Sequence, residues 1–527
     1  MQISKFIKLF LLIFLVASGT LYAQKPTKIT IKQADFAKYA KALGENVYRV
    51  TGNAVFEHEG ALLYCDSAWM NDSSNSLEAF GRIHIHMSDT LNLYGDKLNY
   101  NGNTRIAEVI NNVKLVDKQS VLTTDRLFYD RNTQVASYLT GGKIVIKDNR
   151  LTSKKGYYHT DVKQAFFHED VVMKNPRNTM NSDTLMYNTV TDIVYFFGPT
   201  IIRGKNVENY IYCENGWYNT NTDISRFSKN ALVVNGDQRM TGDSIFYDKK
   251  INFGQAYRNI IVTDTVNNLV IHGDYSEYSK AKGYSMITGK AVAIIIDAKD
   301  SLYLHADTLY STFDSAQKTK DLFAYYRAKF FRHDLQGASD SMLYRFRDST
   351  ILLYKKPVLW SDNNQLTSDS IYILTSEKSI KQLMLYNSAF IISKDSTESF
   401  NQIKGKNMTG FFKDNHLNRI NVYANAETIY FVREEDKSLI GINKAVSGNM
   451  HIYLKDKKIE GITYLENPTA TLYPEKDIEP RERILKDFKW FGQQRPMNKD
   501  QIFEWNAEEV KTESAPKETY RTESGGL

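Results

Sequence analysis

Long apolar runs are scarce in this chain of 527 residues. One lies at residues 6–16, flanked by Lys5 and Lys8, and it falls well short of the roughly 20 residues that a membrane helix needs. Followed by small and polar residues through Ala23, it reads as a secretory signal peptide, residues 1–23, cut after Ala23. Cysteine is scarcer still: only Cys65 and Cys213 occur, neither beside the cleavage point, so no lipid anchor is expected. Charge of one sign is also missing. The 67 basic residues less Lys5 and Lys8 leave 65 against 61 acidic ones, too balanced to point to nucleic acid. No Gly-x-Ser-x-Gly elbow, His-Glu-x-x-His pair or phosphate loop appears, so no motif argues for an enzyme or a cofactor.

What is abundant is aromatic. Thirty-four Tyr and 27 Phe against nine Pro favour strands, because flat rings suit a pleated, half-buried surface. These residues fall into a repeat. Segments Leu93-Tyr-Gly-Asp-Lys-Leu-Asn-Tyr100 and Leu122-Thr-Thr-Asp-Arg-Leu-Phe-Tyr129 share one frame with those ending at Tyr187 and Tyr247: apolar, any, small, Asp, any, apolar, any, Tyr. The marker position recurs at Asp66, Asp96, Asp125, Lys154, Asp183, Glu214, Asp243, Asp274, Asp307, Asp340, Asp369 and Lys406. The residue before each marker is small. A second signature, pairs such as Gly52-Asn53, Gly81-Arg82, Asn111-Asn112, Gly142-Lys143, Gly198-Pro199, Gly289-Lys290 and Ala424-Asn425 followed by alternating apolar residues, gives each repeat two strands joined by short turns.

Strand side chains alternate faces, yet apolar residues stand three before the marker and two and four after it. A sharp bend or bulge at the small-Asp step would reset the alternation, turning both arms of a V inward. Small residues relieve crowding there and Asp bonds nearby backbone. Stacked at ~4.8 Å, about two dozen such strands make a trough on the order of 120 Å long with an apolar interior. Residues 24–475 form this continuous domain; residues 476–527 read as a charged extension with a disordered tail from about 512. On this stacking Cys65 and Cys213, same in phase but five repeats apart, are too distant for a disulfide.

The alternation of Leu-x-Gly-Asp-x-Leu-x-Tyr with Gly-Asn-Val-like strands resembles the organic-solvent-tolerance, or OstA-like, superfamily over roughly residues 28–475. The resemblance implies an all-β fold, an elongated β-jellyroll of V-shaped antiparallel strands. It also implies acyl chains of lipopolysaccharide or a related lipid carried inside, head-to-tail association with other lipopolysaccharide-transport proteins by edge-strand pairing, and a periplasmic location with peripheral contact to membrane complexes. The family's bridge proteins are much shorter than this chain, and the frame leaves too few residues for a separate C-terminal barrel.

Each residue type has a plainer reading. About one acid per repeat, interrupted by Lys154 and Lys406, favours corner chemistry over calcium. His84 and His86 share a face but have no third ligand close in sequence. The column Tyr100, Tyr129, Tyr158, Tyr187, Tyr218, Tyr247, Tyr278 and Tyr344 serves as core lining or as a sugar-stacking ladder. The expected lipid-binding wall is Leu93, Leu98, Tyr100, Leu122, Leu127, Tyr129, Leu151, Tyr158, Met180, Leu185 and Tyr187, with Asn99 and Phe128 facing outward. A rod with a dry core is the alternative built from the same residues; an outer-membrane barrel would need strict alternation, which every marker breaks.

Overall fold

The computed structural model describes residues 27–505 apart from 41–45, 206–207, 299, 314–318, 377–378, 396–398, 414–415, 435 and 456–457. The signal peptide and the tail from about 512 lie outside the described residues. Those described contain 38 strands, short 3₁₀ turns and no α-helix. The chain divides into two compact units, Met1–Asn206 with Asn219–Asn221, and Val207–Tyr218 with Thr222–Leu527.

In the first unit each long strand pairs antiparallel with the next, as Leu91–Asn101 does with Ser76–His86 on one side and Ile106–Asp117 on the other. The parity break is present. In Leu91–Asn101 the buried positions are Leu91, Leu93 and Gly95, then Leu98 and Tyr100, so the alternation slips by one at Asp96. The same slip occurs between Cys65 and Ala68 and between Thr124 and Leu127.

The extra residue that causes the slip is not on the marker strand. It is on its neighbour: the ladder jumps between Thr51 and Ala54 opposite Asp66, and between Ile110 and Val113 opposite Asp125. The pairs expected to join strands therefore sit in the middle of them, Gly52-Asn53 inside Val47–His58 and Asn111-Asn112 inside Ile106–Asp117. Both members of each pair are left-handed, φ 80° and 42° for Gly52 and Asn53, 64° and 49° for Asn111 and Asn112. Consecutive left-handed residues bend the backbone sharply, which is why Gly and Asn are common there. The true turns begin one residue after the tyrosine column. Asn101 Oδ1 accepts from the backbone N–H groups of Asn103 and Thr104, and Asn188 Oδ1 from those of Val190 and Thr191.

Marker and pair meet across the corner. The marker's own N–H donates to the carbonyl of the first pair residue, Asp274 to Gly289 at 3.1 Å and Lys154 to Glu169 at 3.0 Å. Its side chain meets the pair's side chains: Arg82 reaches Asp66 at 2.6 Å, and Asn112 donates to Asp96 at 2.6 Å. At Lys154 the charges are exchanged, because the facing pair is Glu169-Asp170 and Lys154 bridges Asp170 at 2.6 Å. Lys154, one of the two lysines that interrupt the marker row, thus makes the same corner with its signs reversed. Steric restriction varies: a Cβ on Gly95 would run into Val109 Cγ1, whereas one on Gly242 would meet nothing closer than 3.6 Å. The tight corners are at Gly95, Gly273 and Gly405, not at Gly242.

The second unit repeats the plan with longer strands, up to His416–Arg433 and Leu439–Lys455. Its interior is an aliphatic cluster running from Leu269 through Leu353 and Ile391 to Ile452. Residues 475–505 cross the outer side of several strands. Gln402 and Gln365 grip that segment's backbone with both ends of their amides: Nε2 donates to Arg483 and Lys489 carbonyls at 2.9 and 2.7 Å, while Leu485 and Phe491 N–H donate to the amide oxygens at 2.8 and 2.6 Å. Ile478, Leu485 and Phe488 close over Phe390, Ile392, Ile429 and Phe431, and Phe491 and Trp505 over Trp360.

Candidate functional site: the interior of the first unit

Every residue of the expected wall faces inward in the first unit. Leu93, Leu98, Leu127, Leu151, Leu185 and Tyr187 are without measurable exposure, and Tyr100, the least covered, is 8% exposed. Asn99 and Phe128 stand on the opposite face, half-buried. The interior is continuous because cross-strand partners repeat the pattern: Leu98 faces Val109, which faces Leu127. A column of buried aliphatic side chains at this density is a packed core.

An open groove along the V was the expectation. The tips of the two arms are instead joined. Tyr100 hydroxyl lies 2.6 Å from Nδ1 of His58 at the end of the other arm. Tyr158 donates to Asp117 Oδ2 at 2.6 Å, and Asn149 Nδ2 donates to the Tyr187 hydroxyl at 3.2 Å. Cations complete the seam. Lys163 bridges Asp117 at 2.6 Å, Lys147 bridges Asp192 at 2.7 Å, and Arg131 donates to the His58 carbonyl at 3.0 Å. Buried acids hold protonated phenols by accepting from them. Burial, aided by the Asp117 carboxylate, raises Tyr158 well above the ordinary phenol range, and burial pushes Tyr138 and Tyr187 up to about 12. In this unit the rings of the tyrosine column line the core, and the hydroxyls of Tyr100, Tyr158 and Tyr187 also close its mouth as a clasp. Its partners, Asp117, Asn149 and Asp192, were not anticipated. A signal was available for Asp192 alone: Asp or Asn stands five residues after some of the tyrosines, as Asp192 after Tyr187, Asp223 after Tyr218 and Asn252 after Tyr247, each within hydrogen-bond reach.

The interior opens at its N-terminal end. A narrow cleft of about 30 Å³ is lined by Ile29, Phe56, Leu63, Ile85, Tyr100 and Tyr129, with Glu57, His58 and Arg131 beside them. Residues of both arms contribute to it. Ile29, 3% exposed, plugs it, tethered by its N–H to Asn75 Oδ1 at 2.9 Å. At the rim Glu59 lies below the ordinary carboxylate range: partial desolvation raises it, but hydrogen bonds from Thr27 and Arg105 outweigh that.

His84 and His86 converge on Asn92 Oδ1, at 2.9 and 3.0 Å, and His84 stacks between Tyr64 and Tyr94. Among the described residues no group of three or more His, Cys, Asp or Glu is arranged to hold a metal. Cys65 and Cys213 are free and buried, and burial pushes both thiols up to about 12.

Comparison with known proteins agrees with the family resemblance. Residues 26–183 and 168–243 match the family model described as OstA-like protein. Among solved structures, the chain is similar to LptH, the LptA-homologous periplasmic component of the lipopolysaccharide transport device of Pseudomonas aeruginosa. That match has 12% identity and a TM-score of 0.20, and covers 23% of this chain and 84% of LptH. No curated protein matches.

Proposed function

We propose, from the match of residues 26–243 to the OstA-like family model, that this chain is a non-enzymatic periplasmic carrier that takes acyl chains of lipopolysaccharide or a related lipid into the interior of its first unit. The observation that carries the reading is the apolar cleft at Phe56, Leu63 and Tyr129, continuous in kind with the wall from Leu93 to Tyr187. The cleft as it stands is too narrow for an acyl chain and must widen to take one; each methylene then moved out of water gains about 0.8 kcal/mol, which drives loading without a specific polar contact. Loading displaces Ile29 and opens the clasp progressively, exchanging wall–wall contacts for wall–lipid contacts. Edge strands at the ends of the fold would join partner transport proteins, and its peripheral association would be with outer-membrane assembly complexes.

A second reading, a rod with a dry core, is favoured by the same clasp, since joined tips keep the interior closed. Photo-crosslinking in living cells separates the two. A crosslinker at Phe56, Leu127 or Leu185 should capture lipopolysaccharide, while one at Lys114 or Thr123, exposed on the outer face, should not. Equal capture by both sets, or none at Phe56 with no lipid in mass spectra of the gently purified protein, would sink the carrier reading and leave the rod.

A further inference from the structure

A second cavity among the described residues opens at the tip of one arm and over its outer face. It measures about 750 Å³, within the usual range for small-ligand sites. Its floor is a single cross-strand row, each member directly opposite the next: Trp69, Glu78, Asn99, Glu108 and Phe128. The two rings stand at the ends, four ladder steps apart, a span of ~19 Å at ~4.8 Å per step; each has a guanidinium over one face, Arg49 at 5.4 Å from the Trp69 centroid and Arg126 at 5.5 Å from that of Phe128, so a ligand would stack on the other face. Between them the floor is built and held. Asn99 Nδ2 donates to Glu108 Oε2 at 2.8 Å, Arg126 Nε donates to Glu108 Oε1 at 2.6 Å, and Lys97 bridges Glu78 at 2.6 Å. The hydrogen bond from Asn99 and the charge of Arg126 hold Glu108 below the ordinary carboxylate range against some desolvation, so it is an acceptor at neutral pH.

This lining selects by exclusion. A hydrocarbon chain would strip water from two carboxylates and an amide and return nothing to them. A phosphate or polyanion would meet two glutamates whose neighbouring cations are already engaged. A peptide strand finds no backbone donors, because the row lies on a sheet face rather than an edge. What fits is a molecule with flat C–H faces for the electron-rich rings and a girdle of hydroxyls for the carboxylates and amide. We propose that this outer-face cavity binds a short neutral oligosaccharide, stacked on Trp69 and Phe128 and hydrogen-bonded to Glu78, Asn99 and Glu108. The cavity borders the interior at Leu77 and Tyr100, but the proposal does not rest on the lipid reading: the five side chains of its floor alternate with the buried ones on the same strands.

The test is isothermal titration of the full chain with chitotetraose, cellotetraose and maltotetraose at millimolar concentrations. At least one should bind saturably. Trp69→Ala should weaken it about tenfold, roughly the loss of one stacking partner, while Trp69→Phe keeps most of the affinity. Glu108→Gln should weaken it less, and Tyr354→Ala, an exposed ring of the second unit, should leave it unchanged. Unchanged thermal melts certify that the variants fold, and Trp69→Phe carries the test if Trp69→Ala does not. A second arm offers the bound sugar on a glycolipid in phosphatidylcholine vesicles. Competition by the free sugar supports a glycan site, and binding only to the vesicle overturns it. No saturable binding by any of the three sugars, or binding indifferent to Trp69, also overturns the proposal.

Discussion

The two units use one repeat in opposite ways. In the first, burial alternates along each strand, as in Leu91–Asn101, and the outer face is left to solvent and to the aromatic row. In the second, runs such as Ala389 to Ile392 and Val358 to Trp360 are buried without alternation, because residues 475–505 cover the outer side of that arm. Closure differs accordingly. The first unit fastens its arms at the tips with tyrosines on buried acids; in the second, Tyr247, Tyr278 and Tyr344 are only half-buried and the aliphatic core carries the packing. One corner motif therefore sets the bend, and what lies at the mouth and on the back of each arm decides whether the interior is held by polar contacts or by burial on both sides.

The largest test of that contrast removes residues 474–527. Phe390, Ile392, Phe431 and Trp360 would lose their cover, and at about 1.5–3 kcal/mol per large apolar side chain the second unit should lose on the order of 5 kcal/mol or more. Hydrogen exchange should show the loss confined to strands near Gln365 and Gln402, with the first unit unchanged; uniform loss across both would deny that the units are stabilised differently. A smaller effect is expected from Tyr158→Phe. Asp117, 3% exposed and with Oδ1 unpartnered, would lose its phenol donor, at a cost of about 1.5–3 kcal/mol for a hydrogen bond to a charged group. Tyr247→Phe in the second unit removes a bond to the neutral Asn252 amide and should cost about 0.5–1.5 kcal/mol. Urea midpoints that shift equally would mean the clasp is no stronger in the first unit than in the second.

Much of this was legible in the residues. The parity break at Leu93, Gly95 and Leu98 requires a bend, and the bend is there; the inward set from Leu93 to Tyr187 follows from the same count. The location of the extra residue was not legible, because Asn111-Asn112 looks alike as a turn between strands and as a bulge within one. Only pairing with Thr124 and Arg126 distinguishes them. Pairs such as Tyr326-Arg327 and Lys355-Lys356 carry the same left-handed conformation with none of the usual Gly or Asn, so composition concealed them. The segment over the second unit was hidden for another reason. Its anchors Ile478, Leu485, Phe488 and Phe491 have no period, being spaced by the amides that grip them rather than by a helix or strand. Val358, Leu359 and Trp360 are buried in succession, on both faces of their strand, because that segment covers them.

The smallest effect belongs to the corners, and it asks whether marker and pair are read as a couple. Lys154→Asp would set a third carboxylate against Glu169 and Asp170, whereas the same residue is the rule at Asp66, which faces Arg82. The groups are exposed, so the destabilisation should be slight, clearest at low ionic strength and erased by salt within the Debye length. The sign with pH follows from the lysine. Its pKa is raised by the hydrogen bond and charge of Asp170, so its contribution is complete below the ordinary lysine range and is lost as pH rises through the folded value. Lys154→Asp should therefore lower the melting temperature at neutral pH and low salt, with the difference from the parent shrinking at strongly alkaline pH. Adding Asp170→Lys rebuilds the arrangement found at Asp66 and should restore the melting temperature. Recovery in the double variant establishes complementarity between marker and pair; no recovery would mean that Lys154 holds its corner through its backbone N–H to Glu169 alone.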